Sequence, residues 1–138
     1  MILLDTSGLL AAIDSSQSQH AKSAAALRQA TGPLLLSPFV LAELDYLLAT
    51  RVSADAQHAL LEEVARGAYR LQPFTAEDVA SAAVILGRYR DLGIGLADAS
   101  IVVLAERYGA LEVLTLNHRH FQALRGPGGR RFRLRPVA

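Results

Sequence analysis

Ile2-Leu-Leu-Asp5-Thr-Ser-Gly8 places an acid directly behind a short apolar run and just ahead of a second apolar segment, Leu9 to Ile13. Ile2 to Leu4 reads as a short buried strand and Ser7 to Ile13 as a short helix, although Gly8 weakens that helix locally. Asp5 therefore falls at the carboxyl end of a strand. The same alternation continues along the chain. After the polar loop Asp14 to Gln19, Ala21 to Ala30 is helical by its alanine content, and Leu34 to Leu36 is a second strand. Ser37-Pro38 is an N-cap followed by a proline suited to the first helical turn, and it opens a helix reaching about Arg51. A further helix runs from Ala54 to about Arg66 and stops at Gly67, and Tyr69 to Leu71 is a third strand.

Thr75-Ala-Glu-Asp78 has the pattern of a helix-capping signal, with the helix reaching about Tyr89. Asp91 to Gly95 is a loop, Leu96 to Tyr108 a helix closed by Gly109, and Glu112 to Leu116 a buried strand. His118 to Leu124 forms a short helix, Gly126 to Gly129 a turn, and Phe132 to Leu134 a last strand. Strands alternating with helices predict an α/β fold with a mostly parallel sheet. In such sheets ligands bind beyond the carboxyl ends of the strands. Asp5 and Asn117 both fall at such ends.

The composition bounds the reading. A length of 138 residues with 51% hydrophobic residues fits one ordered domain, spanning 1–138. No apolar stretch reaches the roughly 18 residues of a membrane span, and Asp5 comes too early for a signal peptide. A protein of the cytoplasm with no membrane partner is expected. There is no cysteine, hence no disulfide framework and no thiolate metal site. The net charge is only +1, but no acid follows Glu112, while Arg119, Arg125, Arg130, Arg131, Arg133 and Arg135 do. That local positive charge suits phosphates, or it is simply a solvated basic end.

Three acids stand in apolar surroundings: Asp5, Glu43 within Phe39 to Leu48, and Asp98 within Ile94 to Ala105. Burying a charge is costly unless it is paired, hydrogen-bonded or bound to a metal. An all-oxygen set at a strand end and on two helices suits a hard divalent cation such as Mg²⁺ or Mn²⁺. Each acid also has a plain alternative. Asp5 can cap the helix that follows, Asp98 can complement the dipole of its own helix in the first turn, and Glu43 can face solvent. His118 and His120 look at first like a transition-metal pair, but their i, i+2 spacing puts them on different helical faces. Tyr46, Tyr89 and Tyr108 read as core-edge residues. Gly93-Ile-Gly95 lacks the further residues of a phosphate loop. Phosphotransfer through Asp5 lacks support: Ser7 stands where the phosphatase pattern has its second Asp, and Lys22 is the only lysine.

Asp5-Thr-Ser-Gly, Ser37-Pro-Phe-Val-Leu-Ala-Glu43-Leu-Asp45, Gly95-Leu-Ala-Asp98-Ala and Leu114-Thr-Leu-Asn117-His-Arg-His-Phe121 occur in that order. Together they resemble the PIN-domain ribonucleases, specifically the VapC-type toxins of bacterial toxin–antitoxin pairs, over nearly the whole chain. The resemblance implies a three-layer α/β/α fold with four or five strands. It also implies a Mg²⁺- or Mn²⁺-dependent endoribonuclease acting on structured RNA such as transfer or ribosomal RNA. Such a toxin is usually a homodimer silenced by a VapB antitoxin, and it meets DNA only through that antitoxin. By position, Asp5 and Asp98 become the main metal ligands. Glu43 completes the set and helps position the attacking water. Thr6 or Ser7, with Thr115, supports the ligands. Apart from the resemblance, Arg119 and Arg125 are the candidates for RNA contact because they lie nearer the acidic pocket in sequence than the distal arginines. One position departs from the pattern: Asn117 stands where the family usually has an acid. An amide brings no negative charge, so the resemblance also leaves open a weakened, RNA- or partner-binding module on the same fold.

Overall fold

The computed structural model describes residues 1–137 as a five-stranded sheet flanked by helices. In chain order the elements are β1 (Ile2–Leu4), α1 (Thr6–Ile13), α2 (His20–Gln29), β2 (Leu34–Leu36), α3 (Pro38–Arg51), α4 (Ala54–Ala65) and β3 (Arg70–Leu71). These are followed by α5 (Ala76–Arg88), α6 (Leu96–Tyr108), β4 (Glu112–Leu114), α7 (His118–Ala123) and β5 (Arg133–Arg135). The sheet order is β3-β2-β1-β4-β5, and every pairing is parallel. The expected mostly parallel sheet is thus wholly parallel. The central strands β1 and β2 are wholly apolar, as expected where helices cover both faces, while the edge strands β3 and β5 carry arginines.

Local chemistry sets the helix ends. The Ser37 hydroxyl accepts from the Phe39 N–H at 3.1 Å and opens α3. A reciprocal Thr75–Asp78 capping box opens α5, and Gly109, at φ +63°, closes α6 in the left-handed conformation that glycine adopts without strain. Helix α6 is buried from Ala99 to Ala105 without a break. It packs with β1 and α3 at the centre of the core. Buried Leu3, Leu4, Leu36, Leu44, Ile101, Leu104 and Leu114 form the middle of that core.

Several expectations shift. The strand expected over Glu112 to Leu116 stops at Leu114, because the Leu116 and Asn117 N–H groups go to the Ser7 and Thr115 hydroxyls rather than to a neighbouring strand, so Asn117 lies beyond the strand end. The loop before α6 starts with a 3₁₀ turn, Arg90–Leu92. The last strand lies one residue later than its apolar pattern suggested, because β5 pairs Leu134 with Val113. Tyr46 is two-thirds exposed rather than a core-edge residue. Among the described residues, no helix is long and apolar enough to cross a membrane.

Gly8 is explained by a close approach. A Cβ there would lie 2.5 Å from the carbonyl carbon and oxygen of Leu114 and 2.7 Å from the Thr115 nitrogen. Those neighbours are backbone, so they cannot swing away. Helix α1 therefore sits against the end of β4 only because residue 8 has no side chain. Gly8→Ala is expected to cost about 1–3 kcal/mol, although alanine is the better helix former. Urea unfolding of the two chains checks this, and equal stability would show that α1 can move aside freely.

Candidate active site

The chain begins in the middle of the sheet, runs out through β2 and β3, then returns to build β4 and β5 on the other side. The order reverses between β1 and β4. In open parallel sheets that switch point is where a crevice forms at the carboxyl ends. Asp5 leaves β1 there and Thr115 leaves β4 beside it.

Asp5 is the N-cap residue of α1, yet its side chain makes no capping bond. Instead, Asp5 Oδ2 accepts from the Thr115 hydroxyl at 2.6 Å and from the Ser7 hydroxyl at 2.9 Å. Ser7 Oγ in turn accepts from the Leu116 N–H at 2.9 Å. Thr115 Oγ1 accepts from the Asn117 N–H at 2.9 Å. The carboxylate is thus pinned to both central strands. It is also nearly solvent-free, with 5% exposure. Burial raises its pKa to about 6, and the nearby charge of Asp98 adds to the rise against the hydroxyl donors.

Asp98 lies in the first turn of α6. Burial also raises its pKa, and the charge of Glu43 adds to that rise, while His120 opposes it. Asp5, Asp98 and Glu43 are therefore electrostatically linked in series. Glu43 is exposed at the rim, and the Thr6 hydroxyl donates to its Oε1 at 2.7 Å. Helices α3 and α6, which carry Glu43 and Asp98, are tied by a buried 2.6 Å bond between Ser37 and Ser100. Ser100 also donates to the Ala97 carbonyl at 2.6 Å, so Ser37 is the donor between the two hydroxyls.

Asn117 caps α7, its Oδ1 accepting from the His120 N–H at 3.3 Å. Its amide nitrogen lies 2.8 Å from His120 Nδ1, and that same ring nitrogen lies 3.0 Å from Asp98 Oδ2. One ring nitrogen either donates or accepts. When it donates to ionised Asp98, the Asn117 amide turns its oxygen toward the ring and gives up the bond from the His120 N–H.

Sequence spacing dismissed His120, and the structure brings it into the site. The i, i+2 argument holds for the histidine pair, but His120 meets Asp98 across the fold rather than meeting His118. Arg119 is exposed on α7. Arg125 points elsewhere: its Nη1 donates to the carbonyls of Gln122, Ala123 and Leu124, and it lines a cleft with Val84, Arg88 and Glu106.

A hard divalent cation fits the donor chemistry of this group. The donors are oxygens, the innermost acid is buried, and the acids raise one another's pKa through unrelieved negative charge. Among the described residues, no three acidic or imidazole groups close into a ready-formed ligand cage. The carboxylates are instead held by Thr115, Ser7, Thr6 and His120.

The PIN domain family model matches residues 2–126. The chain is 47% identical over 135 residues to Ribonuclease VapC26 of Mycobacterium tuberculosis, covering 98% of this chain and all of that one. Its fold matches the crystal structure of VapC20 from Mycobacterium tuberculosis, described as a sarcin-ricin loop cleaving toxin. That match has a TM-score of 0.79 at 21% identity, over 84% of this chain and 89% of that one. It also matches VapBC2 from Rickettsia felis, solved bound to a DNA fragment from their promoter. There the TM-score is 0.68 at 20% identity, over 97% and 98% of the two chains. The chain belongs to the PIN-domain family.

Asp5 makes metal-free stability depend on pH. Its folded pKa lies above the ordinary carboxylate value. Below about pH 4 the group is neutral in both states and folding bears no penalty. Stability then falls as pH rises toward 6, where the unfolded chain gives up the proton more readily, and levels off above that. A rise from 3.8 to about 6 corresponds to about 3 kcal/mol. In EDTA, Asp5→Asn is expected to be more stable than the native chain at pH 7.5, with the gap closing near pH 4. Denaturant unfolding at the two pH values reads this, and a less stable variant at pH 7.5 would contradict it.

Proposed function

We propose that this PIN-domain ribonuclease is a VapC-type toxin, a metal-dependent endoribonuclease of one domain over residues 1–138. The observation that carries the reading is the linked set Asp5, Asp98 and Glu43 at the sheet's switch point. The 47% identity to a VapC ribonuclease over nearly the whole chain supports it. The same identity weighs against a module that only binds RNA or a partner.

Asp5 and Asp98 would hold Mg²⁺ or Mn²⁺, with Glu43 completing the set. A bound cation lowers the pKa of a water and stabilises charge on a phosphoryl oxygen. The chain's own residues do the rest. Thr115 and Ser7 fix Asp5, so that its oxygens need not reorganise when phosphate arrives. Thr6 restrains Glu43, whose exposed carboxylate can orient the attacking water and take its proton. Arg119, exposed on the helix that follows Asn117, offers a cation to the substrate backbone. Arg125 is tied to the end of α7, so its phosphate role gains no support from the geometry. Asn117 shapes the turn into α7 and brings no charge.

The substrate on this reading is structured RNA, of the transfer or ribosomal class. The protein works in the cytoplasm as a homodimer, held silent by a VapB-type antitoxin through which it meets DNA. The relative's name, Ribonuclease VapC26, supports the RNA substrate.

Total bacterial RNA incubated with the native chain and Mg²⁺ or Mn²⁺ is expected to show discrete cuts that EDTA abolishes. Asp5→Ala and Asp98→Ala should each lower the cleavage rate by about 10²–10³-fold with the fold retained. Asn117→Asp should still cut. Mapping RNA ends by sequencing checks all four chains, and full cleavage by a folded Asp5→Ala chain would overturn the proposal.

A further inference from the structure

We propose that His120 is a positioning residue for Asp98, holding one carboxylate oxygen through Nδ1 so that the other is left for the cation. This rests on the reading of Asp98 as a metal ligand. Each acid in the site has its own side-chain holder. Asp5 has Thr115 and Ser7, and Glu43 has Thr6. Among the described residues His120 is the side-chain donor to Asp98, at 3.0 Å. Both side chains are largely withdrawn from water, His120 at 17% and Asp98 at 15% exposure. An exposed pair would be weak, whereas one this sheltered holds a single geometry.

The ring is itself held. Asn117 lies 2.8 Å from the same nitrogen, and with Nδ1 donating to Asp98 its amide presents its oxygen to the ring. The neighbouring Phe121 is fully buried and anchors α7 against the core. A second partner that fixes a carboxylate ligand typically matters about 10–100-fold in metal affinity. His120 constrains the ligand set from the α7 side without adding negative charge.

The contact is made by Nδ1, which makes the inference sharp. An asparagine side chain can bring its amide N–H close to where Nδ1 sits, whereas glutamine carries its amide further out, toward the Nε2 position. The experiment is calorimetric titration of Mn²⁺ into the metal-stripped full-length native chain and His120→Ala, His120→Asn and His120→Gln. Thermal melts in EDTA run alongside. His120→Ala and His120→Gln are expected to bind Mn²⁺ about 10–100-fold more weakly, and His120→Asn to stay close to the native chain. Should His120→Ala unfold, the Asn and Gln variants still decide.

Native-like affinity in His120→Ala overturns the inference. So does equal affinity in the Asn and Gln variants, or affinity that merely follows the melting temperatures. Absence of Mn²⁺ binding by the native chain overturns it together with the metal reading. Loss confined to the Ala and Gln variants leaves both standing.

Discussion

The carboxylate of Asp5 sits at the end of the central strand with almost no access to water, and much of the surrounding structure serves to hold it there. A buried acid needs donors, and Thr115 and Ser7 provide them. Those hydroxyls also receive backbone N–H groups from Leu116 and Asn117. The result is a polar seam joining the ends of β1 and β4, where the sheet would otherwise have only apolar contacts. The seam forms only if α1 starts right against β4, and the missing side chain of Gly8 permits that approach. One electrostatic demand thus reaches back to the choice of residue three positions along.

The hydroxyl donors do not fully offset the cost. Burial and the neighbouring Asp98 leave the Asp5 pKa near 6, so at neutral pH the metal-free fold carries the cost of a dehydrated charge, increased by the like charge beside it. An apolar core built on α6 and the five strands can carry a penalty of a few kcal/mol, because the whole fold is stabilised by a net 5–15 kcal/mol in typical domains. A cation that relieves the penalty binds more tightly for the same reason. On the proposed reading, affinity for a cation and the cost of burying Asp5 without one are two sides of one interaction.

Much of this was legible in the sequence because the relevant signals are local. Ser37-Pro38 and Gly109 delimit α3 and α6 through capping chemistry that needs no tertiary information. Asp5 and Asp98 stood out because charge is anomalous in apolar segments. What was hidden depends on contacts between distant segments. Gly8 read as a flaw in a helix, since nothing in sequence announces that β4 will pass within 2.5 Å of its missing Cβ. His120 was set aside by a correct argument about the wrong partner, because its contact lies 22 residues away across the fold. Arg125 looked free by position, but the open carbonyls at the end of α7 take its guanidinium. Tyr46 sits on a helix face whose burial only the packing of α3 decides.

Asn117 is where local and global demands can be separated. As an N-cap, asparagine and aspartate serve a helix about equally well, so the turn into α7 does not require the amide. The difference lies in charge. Asp5 and Asp98 already have pKa values raised by burial, with a smaller contribution from the neighbouring acids. A fourth acid, within reach of the His120 nitrogen that faces Asp98, would add to that repulsion unless a second cation came with it. An amide can present its oxygen to the His120 ring without the added charge. On this reading the site is balanced for one firmly held cation, with any second one drawn in by the phosphate of the substrate. The turn into α7 accepts either residue as a cap, so what the choice at position 117 changes is the charge beside Asp98.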